Sequence, residues 1–301
     1  MNKYIFNSLE PMKNICLLII FVSFTSWSQT SEADSIPSSP WKRTGKFSFI
    51  FNQSSFTNWT AGGESSLAGT TLVNYEINYG RGRWHWDTKL LAAYGLIKIK
   101  DDVFAKKSDD RVEIYSIVGK KGSRNWYVSA FLNFKTQFTT GYKYSKNSEG
   151  LSVRTEFTDF LSPAVLSSGP GFQWKKNDNF SFNLAPATSR VTLVKNRFTA
   201  NRENYFGVTQ GETSRYELGF TGSGYLKFNA AENVTVEQIL HLFSNYLDNF
   251  KNVDVDYSLN VGLKINKYLD TSIMGQLIYD DNAFAGLQVR ELFGLGVNFA
   301  F

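Results

Sequence analysis

The chain lacks the side chains on which most catalytic and metal chemistry depends. Its 301 residues include one cysteine, Cys16, and two histidines, His85 and His241. Cys16 lies in an apolar stretch that we expect to be removed on export. The mature chain then has no thiol for a disulfide, a nucleophile or a metal site. Two histidines far apart in the sequence do not favour a transition-metal site either. The sequence therefore predicts no metal and no cofactor.

Long hydrophobic runs and basic clusters are also scarce. The one long apolar run covers residues 15–24, which is shorter than the roughly 20 residues of a membrane-spanning helix. It follows Lys13 and precedes Ser26 and Ser28. This pattern predicts a secretory signal peptide over residues 1–28, with an uncleaved anchor helix as the alternative. The formal charge is +5, but no basic cluster accompanies it, so nucleic acid is not an expected partner.

The chain instead shows a regular alternation of apolar and polar residues. The final stretch, QVRELFGLGVNFAF, places Phe293, Leu295, Val297, Phe299 and Phe301 on one face. A period of two residues predicts a β-strand with one apolar face. A strand that ends on an aromatic residue resembles the assembly signal of bacterial outer-membrane barrels. We therefore expect Phe299 and Phe301 to be recognised by the barrel assembly machinery.

The same alternation recurs along the chain in about 12 segments, with 10 or 14 as the alternatives. Residues 253–266 show it most clearly, since Leu259 and Val261 alternate with Asp256 and Asn260. Tight connections are predicted at residues 80–83, 121–125, 175–178, 229–233 and 266–270. Long loops are predicted at residues 52–66, 98–110, 139–160 and 187–213. Short turns alternating with long loops are typical of outer-membrane barrels.

The predicted fold class is therefore all-β, a transmembrane antiparallel up-and-down β-barrel over residues 43–301. Residues 29–42 are predicted to form a periplasmic tail without a fold of its own. Trp84, Trp126 and Trp174 lie beside tight turns, where an aromatic girdle meets the periplasmic surface of the membrane. Outer-membrane lipid is thus an expected partner, and the cell outer membrane is the expected location.

Charged residues on the polar faces of these strands are predicted to line the lumen. They are Glu76, Asp87, Lys89, Arg111, Glu113, Lys135, Glu217, Lys227, Glu237, Asp254, Asp256, Lys264 and Arg290. The two signs are nearly balanced, whereas strongly ion-selective pores carry rings of one sign. Balanced charges pair across strands. The sequence predicts a narrow or partly occluded lumen.

Two other classes of protein share parts of this pattern, a lipid hydrolase and a soluble sandwich. Some outer-membrane barrels are lipid hydrolases, which need a histidine beside a serine nucleophile. Because the alternation points both His85 and His241 inward, neither suits a site that faces lipid. A soluble periplasmic β-sandwich would have too much apolar surface with so many alternating strands. Acidic pairs at Asp101–Asp102 and Asp280–Asp281 could meet a hard cation, although solvated loop charge is the preferred interpretation.

One loop carries a motif-like sequence, NWTAGGE, with Asn58, Trp59, Gly62, Gly63 and Glu64 as its marked residues. Paired glycines after an aromatic residue indicate a sharp turn of the chain. An ordered external hairpin tip and a binding site are the two interpretations, and the first is preferred.

The segment NWTAGGESSLAG, the C-terminal QVRELFGLGVNFAF and a signal peptide that ends near Ser-Gln together resemble an uncharacterised Bacteroidota family of outer-membrane proteins. The resemblance covers about residue 40 to the end. It implies a barrel and an outer-membrane address, and it supplies no catalytic residues. The expected function is a non-enzymatic outer-membrane barrel, acting as a narrow channel or as a structural partner in an envelope complex. A membrane-embedded lipid-acting enzyme is the alternative.

Overall fold

The computed structural model describes residues 39–56, 64–266 and 268–300. The predicted signal peptide, most of the predicted tail and Phe301 lie outside these residues. So do Asn58, Trp59, Gly62 and Gly63 of the predicted loop motif. No helix within the described residues is long and apolar enough to cross a membrane.

Extended backbone dominates the described chain, as the period of two predicts. The strands are β1 Trp41–Ser54, β2 Ser66–Arg81, β3 Trp84–Ile99, β4 Lys106–Lys121, β5 Trp126–Thr136, β6 Gly141–Lys146, β7 Ser152–Thr158, β8 Ala164–Asn177, β9 Phe180–Leu193, β10 Asn204–Tyr205, β11 Val208–Thr209, β12 Ser214–Ala231, β13 Val234–Asn245, β14 Val253–Lys264, β15 Leu269–Asp280 and β16 Phe284–Ala300. One short helix, α1, covers Asn196–Thr199.

Twelve of these strands close into an antiparallel barrel in the order β1-β2-β3-β4-β5-β8-β9-β12-β13-β14-β15-β16. The predicted barrel and its strand number are confirmed, and the sandwich alternative is wrong. The ring closes where β1 pairs with β16, from Lys46 opposite Ala300 to Phe51 opposite Leu295. Since a barrel has no sheet edge along this ladder, the backbone groups of both end strands are satisfied there.

The barrel has an apolar exterior and a polar interior. On β16, Phe293, Leu295 and Phe299 expose 63%, 51% and 54% of their surface on the outside. Similar outward rows run along β1, β3, β5, β8 and β14, as the register of paired strands requires. Soluble proteins rarely leave apolar patches of this extent uncovered. The exterior therefore matches an apolar surrounding rather than water.

The two ends of the barrel differ as the sequence predicts. Tight turns join β2–β3, β4–β5, β8–β9, β12–β13 and β14–β15 at the end where β1 begins. Aromatic rings form a band there: Trp41 lies 6.0 Å from Trp86, and Trp126 lies 5.7 Å from Phe182. Trp84 and Trp126 are half-exposed on the outside, and Trp174 stacks on Phe182. The predicted aromatic girdle is thus an observed feature of this end.

Several predicted boundaries are wrong because strands continue into segments assigned to loops. β1 begins at Trp41, inside the predicted tail. β4 begins at Lys106 and β9 reaches Leu193, so the loops 98–110 and 187–213 are shorter than predicted. The predicted loop 139–160 contains the hairpin β6–β7. Charged and small residues mask the alternation in these segments, while pairing with a neighbouring strand still holds them extended.

The loop segments at the end opposite the tight turns pack on one another. Val194, Phe198, Tyr205 and Val208 form a buried cluster, with Phe157 and Phe206 packed against it. We call this assembly of β6–β7, α1 and β10–β11 the loop cap. It joins the connection between β5 and β8 to the connection between β9 and β12. The cap therefore has its own small core, separate from the barrel wall.

Candidate functional site in the barrel lumen

Among the described residues, two cavities lie along the lumen, one towards each end. The inner cavity has a volume of about 580 Å³ and extends from the tight-turn end to the middle of the barrel. The outer cavity, about 370 Å³, lies towards the loop cap. Both are lined by the same central residues, namely Arg111, Glu113, Lys135, Asp256, Gln276 and Arg290. We call this shared charged layer, at which the two cavities meet, the constriction.

An ion pair crosses the inner cavity from wall to wall. Lys89 on β3 and Glu237 on β13 stand directly opposite one another in the ring of strands. The Lys89 Nζ lies 2.6 Å from Glu237 Oε1 and 3.6 Å from Glu76 Oε1. Tyr225 and Asn260 donate further hydrogen bonds to the Glu237 carboxylate, at 3.0 and 3.1 Å. This Lys89–Glu237 bridge divides the cross-section of the inner cavity.

The constriction is crossed in the same way. Lys135 Nζ on β5 lies 2.5 Å from Asp256 Oδ2 on β14, and Gln276 donates a 2.8 Å hydrogen bond to the other oxygen of Asp256. Arg290 on β16 lies 2.7 Å from Asp109 on β4. These strands are not neighbours, so the pairs span the lumen rather than run along its wall. Together these pairs cross the layer that the two cavities share.

Arg190 forms a further cluster nearer the loop cap. Its guanidinium lies 2.5 Å from Asp254, 3.1 Å from Asp280 and 3.6 Å from Glu217. Arg215 reaches Glu217 at 3.2 Å. Planar guanidinium groups suit such multidentate pairing with carboxylates. One side of the outer lumen is therefore tied together across β9, β12, β14 and β15.

Further ion pairs and a hydrogen bond lie at the tight-turn end of the lumen. Lys175 lies 2.7 Å from Asp87, and Lys46 lies 2.8 Å from Asp270. His85 Nε2 shares a 2.7 Å hydrogen bond with Gln173 Oε1. Lys46 and Asp270 belong to β1 and β15, which are separated by β16 alone. The Lys46–Asp270 pair therefore stays along the wall, whereas the Lys175–Asp87 and His85–Gln173 contacts join β8 to β3 past β4 and β5.

The structure places the sequence-predicted lumen charges on the inside of the barrel. Glu76, Asp87, Lys89, Arg111, Glu113, Lys135, Lys227, Glu237, Asp256, Lys264 and Arg290 line the inner cavity. Glu217 and Asp254 lie with Arg190 beside the outer one. Most of them form ion pairs between strands that are far apart in sequence. The pairing partners could not be read from alternation alone.

Several charges of the lumen were missed from the sequence. Arg190 and Asp109 lie in segments that the sequence predicts to be loops, and Lys175 lies in a predicted turn. Lys46 could have been found, because it alternates with Phe47 and Phe49 on β1 and must therefore face inward. Arg190 follows an irregularity in the register between β9 and β12, which shifts the parity of the alternation. No simple pattern in the sequence marks that shift.

The predicted orientation of the two histidines agrees with their positions. His85 is 8% exposed and faces Gln173, while His241 lines the inner cavity beside the ring of Tyr115 at 5.7 Å. Within the described residues no serine hydroxyl is bonded to either ring. The geometry thus offers no nucleophile–base pair of the kind that lipid hydrolysis needs.

One acidic group meets the spacing of a cation site. Carboxylate oxygens of Asp254, Asp280 and Asp281 lie within 4.8 Å of one another. Two of the three are already paired with Arg190. Asp280 also accepts backbone hydrogen bonds from Asn282 and Ala283. The guanidinium supplies the positive charge that these carboxylates need, so the cluster is a structural ion-pair network.

A second charged node holds the loop cap. Asp159 accepts hydrogen bonds from Lys195 at 2.5 Å, Arg197 at 2.7 Å and Thr140 at 3.1 Å. The Lys195 hydrogen bond is the main reason that the pKa of Asp159 lies below its usual value. Beside this node, burial raises the pKa of Tyr205 to about 12, so its hydroxyl stays protonated and donates to the Phe157 carbonyl.

Of the predicted loop motif, the structure describes Glu64 alone. Its side chain is exposed, and its backbone carbonyl accepts a 3.0 Å hydrogen bond from Ser54. This contact secures the start of β2 against the end of β1. The remaining motif residues lie outside the described part of the chain, so their role stays a prediction.

Comparison with family models gives one match. The family described as "Protein of unknown function (DUF3078)" matches residues 51–142. The matched segment begins in β1 and ends in β6. It includes the predicted loop motif. The expected resemblance to a family without an assigned activity is confirmed over this part of the chain. A comparison with curated protein sequences finds no match.

Solved structures with a similar fold are outer-membrane barrels. The outer membrane channel COG4313 from Pseudomonas putida F1 is 7% identical, with a TM-score of 0.37, over 90% of this chain and 99% of that one. The translocator domain of the autotransporter NalP from Neisseria meningitidis is 8% identical, with a TM-score of 0.33, over 87% of each chain. The toluene transporter TbuX of Ralstonia pickettii is 9% identical, with a TM-score of 0.33, over 87% of this chain and 77% of that one. Because identities and TM-scores are this low, these similarities carry no conclusion about the function of this chain.

Proposed function

We propose that the chain is a non-enzymatic outer-membrane β-barrel that forms a narrow polar passage, closed in this conformation by ion pairs across its lumen. The observation that carries the proposal is the inverted distribution of side chains. Apolar rows cover the outside, and charged residues occupy the inside. Only a closed barrel lets strands cross a bilayer with all backbone groups paired.

The lumen supports a passage rather than a solid core. Its two cavities, of about 580 and 370 Å³, meet at one charged layer. Barrels of this size stand between those that side chains fill and the open porins. The lumen carries both cationic and anionic side chains. This mixture favours the passage of neutral or zwitterionic solutes over that of ions of one sign. The bridges at Lys89–Glu237 and Lys135–Asp256 are the groups that must part for a solute to pass.

Planar-bilayer conductance of the purified barrel tests the proposal. Replacing both partners of the inner bridge, Lys89→Gln with Glu237→Gln, removes the crossing pair and leaves neither of its two charges unpaired. Glu76 also loses Lys89 as a neighbour, and its side chain is 31% exposed. We expect the conductance of this variant to rise several-fold above that of the unaltered chain. The matched control is Lys46→Gln with Asp270→Asn, which removes a pair of similar length that lies along the wall. We expect the control to conduct like the unaltered chain.

Two results would contradict the passage. The first is an absence of conductance in every variant, which would make the lumen a plug. The second is an equal rise in conductance in the Lys46→Gln, Asp270→Asn control. This would mean that any loss of an ion pair in the lumen raises conductance, whether or not the pair crosses the cavity. Heat-dependent migration on gels would verify that each variant still forms a closed barrel.

A further inference from the structure

One charged side chain interrupts the apolar exterior in the middle of the sheet. Glu291 on β16 is exposed and lies between Val289 and Phe293, which expose 59% and 63% of their surface on the outside. The register pairs Glu291 with Gly275 on β15, and Gly275 with Leu259 on β14. Both partners lie near the middle of their strands. The carboxylate therefore lies at bilayer depth if the apolar exterior faces lipid.

Glu291 differs from the other outward-facing charges of the described chain. Arg43, Lys98 and Lys120 lie near the ends of their strands, where the membrane surface supplies water. Among the described residues, no cation lies within ion-pair distance of Glu291. Its charge has no counterpart within the part of the barrel that the structure describes.

The surface around Glu291 is open to a second molecule. A side chain at Gly275 would meet no atom within 4 Å, so the outside of β15 leaves a notch beside the carboxylate. On the other side, the β1–β16 ladder ends at Phe51 opposite Leu295, before it reaches Glu291. An approaching side chain can therefore reach the carboxylate from the β15 side.

An ionisable group at bilayer depth is costly unless a partner neutralises it, and such groups mark functional surfaces. Lipid phosphates carry the same sign as the carboxylate and offer no compensation. A symmetric pair of barrels joined at this face would bring two Glu291 carboxylates together, because a two-fold interface contacts itself. A lysine or arginine presented by another polypeptide can supply the opposite charge at this depth.

We propose that the outer face of β14–β16 around Glu291 is an interaction surface for a membrane-embedded segment of a second envelope protein that presents a lysine or arginine at this depth. The proposal rests on the membrane placement proposed above and goes beyond the passage. In the low-dielectric bilayer, the ion pair would strengthen an otherwise apolar contact. It would also fix how the partner segment is aligned along β16.

Photocrosslinking in intact cells tests this surface. A photoreactive amino acid replaces Val289 or Phe293 beside Glu291, and in matched controls it replaces Val128 or Phe172 on the opposite wall. We expect a discrete protein adduct from the first two positions and none from the controls. The adduct should fall at least about tenfold in yield with Glu291→Gln and persist with Glu291→Asp, because the negative charge is what the partner pairs with. The crosslinked peptide should contain a lysine or arginine within an apolar or alternating segment.

The proposal is overturned if adducts form equally on both walls, if none forms, if the adduct contains a second copy of this chain, or if its yield is unchanged by Glu291→Gln. Each variant is first checked for heat-dependent migration and for recovery with outer membranes. If the unaltered chain is absent from the outer membrane, the membrane placement itself is refuted. If the chain is present there but forms no specific adduct, only the interaction is refuted.

Discussion

Leu259 is a single residue that reports which face of the barrel meets lipid. It lies on the outside of β14, between Gln238 on β13 and Gly275 on β15. Its neighbour Asn260 faces the lumen and donates a hydrogen bond to Glu237. Adjacent residues of one strand thus occupy apolar and polar surroundings, which makes them a matched pair for substitution.

We expect Leu259→Arg to lower the free energy of unfolding by roughly 2–4 kcal/mol, the usual cost of a cation near the bilayer midplane. Asn260→Arg should cost much less, because the new guanidinium can donate to Glu237 in its place. Denaturant unfolding of the barrel in lipid vesicles measures both values. Equal penalties at the two positions would show that the assigned faces of β14 are wrong.

Asp159 sets the acid sensitivity of the loop cap. Its pKa in the folded chain is lowered, chiefly by the Lys195 hydrogen bond. A carboxyl with a depressed folded pKa contributes stability that is present above its unfolded pKa and lost as pH falls through the folded value. The cap should therefore be most protected at neutral pH and should loosen only under acid conditions, below the ordinary range of an aspartate.

Hydrogen exchange of residues 194–209 as a function of pH checks this expectation. In the unaltered chain, the measured exchange rate is divided by the intrinsic exchange rate at each pH. This ratio should increase as Asp159 is protonated. Asp159→Asn should exchange faster at neutral pH and lose most of the acid dependence, since its amide cannot pair with Lys195 and Arg197. If the variant retains the full pH dependence, another group controls the cap.

Among the elements, β8 shows how a weak sequence signal becomes a strand. It contains Gly169, Pro170 and Gly171, which interrupt the alternation. A Cβ at Gly169 would lie 2.5 Å from the Ala187 carbonyl oxygen, and one at Gly171 would lie 2.6 Å from that of Leu184. The register between β8 and β9 shifts at this point. Glycine is required because the irregular backbone of β9 approaches β8 too closely for a side chain.

The terminal strand β16 carries the closing ladder and the outward aromatic row. We expect Phe299→Asp, or deletion of Phe301, to abolish membrane insertion, because each removes an apolar anchor and part of the predicted assembly signal. Asn298→Asp is the matched lumen-facing control, since an aspartate can still accept the Ser48 hydrogen bond that Asn298 accepts at 2.5 Å. The readout is the fraction of chain that migrates faster unheated than boiled.

Normal insertion of both Phe299→Asp and the Phe301 deletion would mean that the terminal aromatic residues are dispensable for assembly. A failure of the Asn298→Asp control would instead indicate that β16 tolerates no change on either face. The two results distinguish a signal on the outward row from general fragility of the closing strand.

At the scale of the whole molecule, the inverted side-chain distribution predicts where the protein resides. The exported chain should fractionate with outer membranes and resist extraction by carbonate. It should also migrate faster on gels before boiling than after, because a closed barrel stays compact in mild detergent. Recovery in the soluble periplasmic fraction would contradict the membrane placement and, with it, the proposed passage.

The sequence by itself determined the architecture, because a period of two residues admits few alternatives. Twelve alternating segments with short turns at one end predict the barrel, and parity predicts that Lys89, Lys135 and Asp256 face inward. Where parity is interrupted, as around Arg190 and in the segment that contains β6 and β7, the sequence prediction is wrong or silent. Local spacing carries no information about a bulge that depends on the neighbouring strand.

Only the tertiary structure decided which charges meet. Lys89 and Glu237 are distant in sequence, and they come within 2.6 Å because closure of the ring places β3 opposite β13. The loop cap and the notch beside Glu291 likewise arise from contacts between elements. Alternation fixes the face on which a side chain lies. The partner across the lumen depends on ring closure, strand register and tilt, which are properties of the whole barrel.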